Sequence, residues 1–598
     1  MEDGINLIPT SDSEPTNAYM VQHITQGLAK QWVGQWWDPE GELILSDIYP
    51  RYISYLGLEA ISPSLSDLAV YTDFLEIETL GRLTAKSELE ASNKGALLIR
   101  SFEGVLTRDG VRRAVKLFLK HLWGVADETD YFDLSEMVAG NYTWGDMVNV
   151  LVGFMNNDGI PVVKASIANG THFAFRQEPF RKPDKEVQKE DDESSLWLIP
   201  LSFTENHQNS RPQITWLTPH ENVTFAAGST GECILVNPDA TGYHRTLYDD
   251  PNIFNRIQNF LEQNHEAIQP LTRARLLADY FAFAEQDYCP YSTALNLTTY
   301  MSRETNLVVW TAFLDKFTKV YARFLSHPEY PKLQHYLLPK VDLLLTETEE
   351  LSAESIDLEL FRAKLLLVGC RFQIQHVGEI NPPYCQTWSS NLFHSWRNSA
   401  DGASPLNYIF PQTLRPILEC SIVATGGKEA FDFLFKKYQE LKANSESYYG
   451  ILSSLACVQE TSVIEHLLQK TLQPISTGGF GSKDGWYVIN FMIDTPMPNG
   501  RAQILPFISS NFDQVVEKIG DGYSSIIPQL LRYLADYLST TKQKQEIEDF
   551  VSMHQDKIMN TTDTSSHLNE AFAAMDSNIQ WMNAYSQDIL NWLDKYNI

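Results

Sequence analysis

The sequence predicts a mixed α and β chain in which a long helical half follows a short β-rich stretch. Three changes of texture carry this. Residues 1 to about 158 mix helical periodicity with Trp-rich and polar loops, residues from about 160 to 248 form short β-type runs, and from about 250 onward the period is helical. At roughly 100 to 200 residues per domain, 598 residues predict three or four domains. The boundaries read from texture are 1–158, 159–249 and 250–598.

The first segment carries Trp32, Trp36 and Trp37 among its loops. In the second, Val162-Val163-Lys164-Ala165-Ser166-Ile167, Leu196-Trp197-Leu198-Ile199-Pro200-Leu201 and Thr215-Trp216-Leu217 read as strands between Gly, Asn and Pro punctuation. A small β-sandwich of about seven strands is expected. The run from Asp184 to Glu193 is almost entirely charged and reads as a solvated loop between strands. In the third segment Trp310, Phe313, Leu314, Phe317, Val320, Tyr321 and Phe324 fall on one helical stripe. Similar stripes recur around 429–438 and at Ile579, Met582, Ile589 and Leu593, and successive helix pairs of solenoid type fit them.

Composition then removes whole function classes. With 46 Lys plus Arg against 76 Asp plus Glu, the formal charge is −30, which repels a phosphate polyanion and excludes nucleic acid as a partner held by bulk charge. Hydrophobic residues at 43% and aromatics at 12% are ample for packed cores. No apolar run approaches the roughly 18 to 20 residues of a membrane helix, and the first thirty residues lack a basic stretch followed by an apolar one, as a signal peptide needs.

The six cysteines, Cys233, Cys289, Cys370, Cys385, Cys420 and Cys457, include no CxxC pair, which speaks against a thiolate zinc knuckle or a thioredoxin motif. Sequons at Asn141, Asn169, Asn222, Asn296 and Asn560 are about as many as chance supplies. Gly478-Gly479-Phe480-Gly481 follows no strand signal and reads as a loop, not a phosphate cradle.

One region does carry a chemical pattern. Gln26-Gly27-Leu28-Ala29-Lys30-Gln31-Trp32, followed by Leu43-Ile44-Leu45-Ser46-Asp47-Ile48-Tyr49, resembles the paired motifs HELAHQW and LWLNEGF of the gluzincin aminopeptidases, the membrane alanyl and endoplasmic-reticulum type. Trp36-Trp37 and Ile53-Ser54-Tyr55-Leu56-Gly57 extend the likeness. In that family two His at i and i+4 share one helix face and hold zinc, the Glu between them takes a proton from the bound water, and a Glu on the next helix completes the ligand set. Position by position, the first His is Gln26, the base is Gly27, the second His is Lys30 and the ligand Glu is Asp47. None of the four keeps its residue.

Each replacement has a consequence. Gln26 offers a weak neutral amide, Gly27 has no side chain to accept a proton, and Lys30 puts an ammonium where a dication would sit. Sixteen residues separate Lys30 from Asp47 where the family has eighteen. The transition-state tyrosine of the family falls on Ser92, before Asn93-Lys94-Gly95-Ala96, and the amine-binding GxMEN motif would map on Met1-Glu2-Asp3, leaving Glu2 as the one candidate amine ligand. His23 with Asp47 would supply at most two ligands, below the three of a catalytic zinc.

The likeness continues through Ile234-Leu235-Val236-Asn237, Thr241-Gly242-Tyr243-His244-Arg245 and Arg273-Ala274, and on to Gly426-Gly427-Lys428-Glu429 and Asn499-Gly500-Arg501. It implies a degenerate thermolysin-like helical remnant, a small β-sandwich and a large HEAT- or armadillo-like superhelical domain, with the chain beginning inside a catalytic domain whose first half and preceding β-domain are absent. It also implies disulfides Cys370 with Cys385 and Cys420 with Cys457, hence an oxidising compartment, with Cys233 and Cys289 as buried thiols. The function expected is that of an inactive homologue without cofactor: an extracellular or plasma-membrane ectodomain, provided that the full-length gene carries an anchor, which binds peptides or a protein partner. Residual zinc aminopeptidase activity is the alternative, as is a regulator that pairs with itself or with an active relative.

Overall fold

A computed structural model of the chain describes residues 17–33, 47–80, 88–122, 150, 153–155, 157, 159–168, 172–181, 196–205, 212–220, 222–226, 234–349, 356–373, 384–399, 404, 415–443, 448–495, 498–519, 526–558 and 562–595. They belong to two compact units, one within residues 10–316 and the other within 317–598.

The first unit opens with helices α1 (Asn17–Val33), α2 (Tyr49–Glu59), α3 (Pro63–Leu80) and α4 (Glu88–Leu122). α1 and α2 meet at a glycine: a Cβ on Gly57 would overlap the Thr25 side chain. Likewise a Cβ on Gly95 of α4 would run into Ile48, so α4 lies directly against the start of α2. Tyr52, Tyr55 and Leu58 of α2, Phe74 of α3 and Leu97 and Leu98 of α4 are all buried. α4 is broken at Thr107, whose φ of 67° is unusual for a β-branched residue.

Seven strands follow among the described residues: β1 (Pro161–Ala168), β2 (His172–Pro179), β3 (Ile199–Glu205), β4 (Gln213–Leu217), β5 (Val223–Ala226), β6 (Ile234–Val236) and β7 (Arg245–Tyr248). They form a four-stranded sheet β5-β2-β1-β7 and a three-stranded sheet β4-β3-β6. β1 runs antiparallel to β2, pairing Ala165 with Phe175, and parallel to β7, pairing Ala165 with Tyr248. The sheets meet through aromatic side chains, with Phe203 of β3 at 5.0 Å from Phe175 and 4.8 Å from Phe225 between ring centroids. The run 162–167 lies inside β1 and 215–217 inside β4, whereas only the second half of 196–201 is strand. The charged run from Asp184 to Glu193 lies outside the described residues.

Helices α5 (Pro251–Asn264), α6 (Pro270–Glu285), α7 (Tyr291–Asn296) and α8 (Leu307–Phe324) follow. Asp250 caps α5, its carboxylate accepting from Asn252 N–H, and Pro251 occupies the first turn where no N–H is needed. α6 is buried on nearly every side, charged residues included. Each buried charge therefore has partners. Arg245 of β7 bonds Asp279 at 2.7 Å, Arg273 forks onto Glu304 at 2.7 and 3.0 Å, and Arg275 donates to the His244 carbonyl at 2.8 Å while its guanidinium lies 3.5 Å from the Phe74 ring centroid.

The second unit is helical. It contains α9 (Tyr330–Glu349), α10 (Ile356–Gln373), α11 (Tyr384–Asn398), α12 (Arg415–Ala443), α13 (Tyr449–Leu455), α14 (Thr461–Leu472) and α15 (Ser482–Asp494). After these come α16 (Pro498–Ser510), α17 (Phe512–Lys518), α18 (Ile526–Ala535), α19 (Thr541–Met553), α20 (Gln555–Ile558) and α21 (Thr562–Lys595). Most helices pack on their sequence neighbours, and α21 returns to cover α18 and touch α9. The predicted stripe from Trp310 to Phe324 is buried at all seven positions. Gly427, at φ 56°, bends α12. The loop at Gly478 is no phosphate cradle: its amides turn inward, Gly478 to Ile475 O, Gly479 to Pro474 O and Phe480 to Lys470 O.

Both expected disulfides are present, Cys370 with Cys385 and Cys420 with Cys457. Cys289 is half-buried, not fully buried, with its sulfur 3.9 Å from the Tyr280 carbonyl oxygen. Cys233 lies outside the described residues.

Candidate functional site

Gln26, Gly27 and Lys30 lie on α1, and Asp47 lies just ahead of α2. α1 brings Gln26 and Lys30 to one face because they are four residues apart. The Thr25–Gly57 contact then fixes that face over α2. The result is a direct ion pair, with Lys30 Nζ 2.5 Å from Asp47 Oδ1. Gln26 is half-buried, and Gly27 is exposed, with nothing among the described residues beyond its own helical turn within 4 Å of the place its Cβ would take.

This donor set does not suit a zinc ion. Ligands at about 2.0 to 2.2 Å from a tetrahedral zinc stand roughly 3.3 Å apart, so a nitrogen and an oxygen already at 2.5 Å leave no room between them. The nitrogen is moreover a cation. The one carboxylate of the motif is neutralised by Lys30, and no base occupies position 27.

A second cation stands nearby. Arg51, two residues into α2, donates to both oxygens of Asp73 on α3, at 2.8 Å from Nε to Oδ2, and Tyr55 donates its hydroxyl to the same carboxylate. Asp73 is 1% exposed, so the three side chains form a buried network that ties α2 to α3. His23, on the exposed side of α1, is held below its ordinary pKa by partial desolvation first and then by the charges of Arg51 and Lys30. The imidazole nearest the old motif therefore faces cations. Among the described residues no group of three or more His, Cys, Asp or Glu is gathered as metal ligands.

Ser92 is buried on α4 beside Asn93, and Lys94 reaches out of the same turn to the Asn157 carbonyl at 3.0 Å. Gly95 packs under Ile48. This stretch thus serves the α2–α4 packing, and the Ser92 hydroxyl is short and buried within it. Glu2 lies outside the described residues. Also between α2 and α4, Tyr52 donates to Glu103 at 2.5 Å, and Arg108 bridges Glu59 and Glu103.

The Arg51–Asp73–Tyr55 network was not anticipated. Its signal was available: Asp73 falls between the apolar stretch Leu68-Ala69-Val70-Tyr71 and Phe74-Leu75, and a carboxylate on a buried helix face demands a cation.

Comparison with known proteins extends this geometry. Residues 233–572 match the ERAP1-like C-terminal domain family. Bos taurus aminopeptidase N is 24% identical across 100% of this chain and 63% of its own length, and Homo sapiens aminopeptidase N is 24% identical across 99% and 62%. Gallus gallus aminopeptidase Ey is 24% identical across 96% of this chain and 60% of its own. The chain thus spans about three fifths of the length of the curated relatives it matches. No helix among the described residues is long and apolar enough to cross a membrane. A family match over more than half of the chain, joined to the aminopeptidase likeness from end to end, makes this protein a member of the ERAP1-like C-terminal domain family.

Proposed function

We propose that the chain is a non-catalytic aminopeptidase homologue that holds no zinc and acts as an extracellular binding or scaffold protein. The observation that carries this reading is the Lys30–Asp47 ion pair, which joins the positions of two zinc ligands through a protein cation. The absence of a side chain at Gly27 and the burial of Ser92 support it, since proton transfer and transition-state stabilisation both need a reachable group.

The helical unit would then be what the protein presents to partners, as a superhelical stack of the HEAT or armadillo kind, with peptides or a second protein chain as ligands. Two disulfides in that unit favour an oxidising compartment and so the cell exterior. The test is zinc content by mass spectrometry together with hydrolysis of aminoacyl reporter substrates. A metal-free, inactive protein agrees with the proposal, and stoichiometric zinc with turnover overturns it.

A further inference from the structure

The helical unit contains a cavity of about 660 Å³ between α16, α18 and α19. That volume lies within the range of ligand pockets, which is about 300 to 1,000 Å³. Its floor is apolar, built from Leu505, Leu534 and Phe550. Its wall on α19 is different. Glu546, Asp549, Phe550 and Met553 follow the i, i+3, i+4, i+7 spacing, so one stripe of α19 presents two carboxylates beside two large apolar groups.

The charges around the cavity are unbalanced. Among the described residues Arg501 is the single cation of the lining, and it is committed elsewhere: it donates to the Ile493 carbonyl at 2.9 Å and the Thr495 carbonyl at 2.5 Å, and lies over the Tyr537 ring. Glu546 has Lys542 at 3.9 Å, beyond hydrogen-bond distance and with both side chains exposed, and Asp549 accepts a neutral amide from Gln545 at 2.9 Å. Both carboxylates are exposed at the mouth, and Met553, 73% exposed, offers a flexible apolar flap beside them.

We propose that this cavity binds a peptide segment in which an Arg or Lys lies beside a bulky apolar residue. The apolar side chain occupies the floor against Leu505, Leu534 and Phe550, and the cation lies between Glu546 and Asp549. Charge complementarity decides the occupant: an acidic or a wholly apolar segment would leave the two carboxylates repelled or desolvated without a partner, and the chain's charge of −30 steers a basic segment toward it. The inference deepens the binding role proposed above by naming where and what the helical unit binds. It involves no catalysis, so its failure would leave the account of Lys30 and Asp47 standing.

The test is fluorescence anisotropy on the full chain with a labelled decapeptide of alternating Arg and Leu, alongside decapeptides of alternating Glu and Leu and of alternating Arg and Ser. The Arg-Leu peptide should bind, and both controls should bind about tenfold more weakly or worse. The double substitution E546K/D549K, at exposed positions, should weaken the Arg-Leu peptide by about tenfold or more while leaving the thermal midpoint unchanged. Leu505→Trp, which fills the floor, should also weaken it and leave the salt dependence as it was. Equal binding of the Arg-Ser peptide would mean that charge alone attracts the ligand and would overturn the proposal. So would undiminished binding by the double variant, or competition by arginine amide at the concentration of the peptide, which would mark a small-cation site.

Discussion

Reinstalling the lost side chains is the perturbation that examines the site most closely. The variant carries Gln26→His, Gly27→Glu, Lys30→His and Asp47→Glu. Its cost to folding is small: the pair it removes has side chains 44% and 32% exposed, and such surface pairs contribute about 0.2 to 1 kcal/mol. Gly27 has open space around it, and replacing a helix-interior glycine returns about 0.5 to 1 kcal/mol. The two terms nearly cancel, so the variant should fold. Because Lys30 and Asp47 already touch, imidazole and carboxylate at these positions are placed to share one ion. Bound zinc at about a hundred times its Kd would stabilise the protein by roughly 2.7 kcal/mol, a rise of a few degrees in the midpoint for a unit of this size. The assay is metal content after dialysis, with thermal unfolding with and without chelator. A folded variant with no more zinc than the parent would refute the reasoning, since it would show that the four positions do not converge.

Other consequences can be measured alongside. Asp279→Ala strands the buried cation of Arg245 and removes the nearest counter-charge of Arg275, so urea unfolding should show a loss of about 3 to 5 kcal/mol. Removing the disulfides as Cys370→Ser/Cys385→Ser or Cys420→Ser/Cys457→Ser should cost roughly 3 and 4 kcal/mol respectively, from sequence separations of 15 and 37, read as lowered calorimetric midpoints. His244, fully buried beside Arg275, has its pKa pushed down to about 4, first by burial, so the unfolded chain takes up its proton first. Its contribution is complete above about 6.5 and is lost as pH falls from there toward 4. Asp67, raised to about 6 mainly by desolvation, acts in the opposite sense over part of that range, so the loss should appear most clearly in an Asp67→Asn background.

The legible parts of this molecule are those where one side-chain pattern dictates one environment. The Trp310–Phe324 stripe stood out because burial of one face leaves a period in the sequence, and the β-type run at Val162 because Gly and Asn punctuation bounds it. The disulfide pairing came from resemblance, since six cysteines permit many connectivities. What the sequence did not show was convergence over distance. Lys30 and Asp47 are individually odd against the aminopeptidase motif, but that they neutralise each other depends on how α1 packs against α2. Arg245 and Asp279, on a strand and a helix, pair across 34 positions by packing alone. The cavity in the helical unit was equally hidden, because Glu546 and Asp549 read in isolation as the solvated face of an amphipathic helix.

The central claim is that the Lys30 ammonium stands where a metal would be held. The most direct measurement is the zinc content of the purified parent chain after incubation with excess zinc and dialysis, with aminoacyl reporter hydrolysis followed on the same sample. The account predicts no zinc above a chelator-treated control and no chelator-sensitive turnover. One zinc per chain, with hydrolysis that chelator abolishes and added zinc restores, would contradict it.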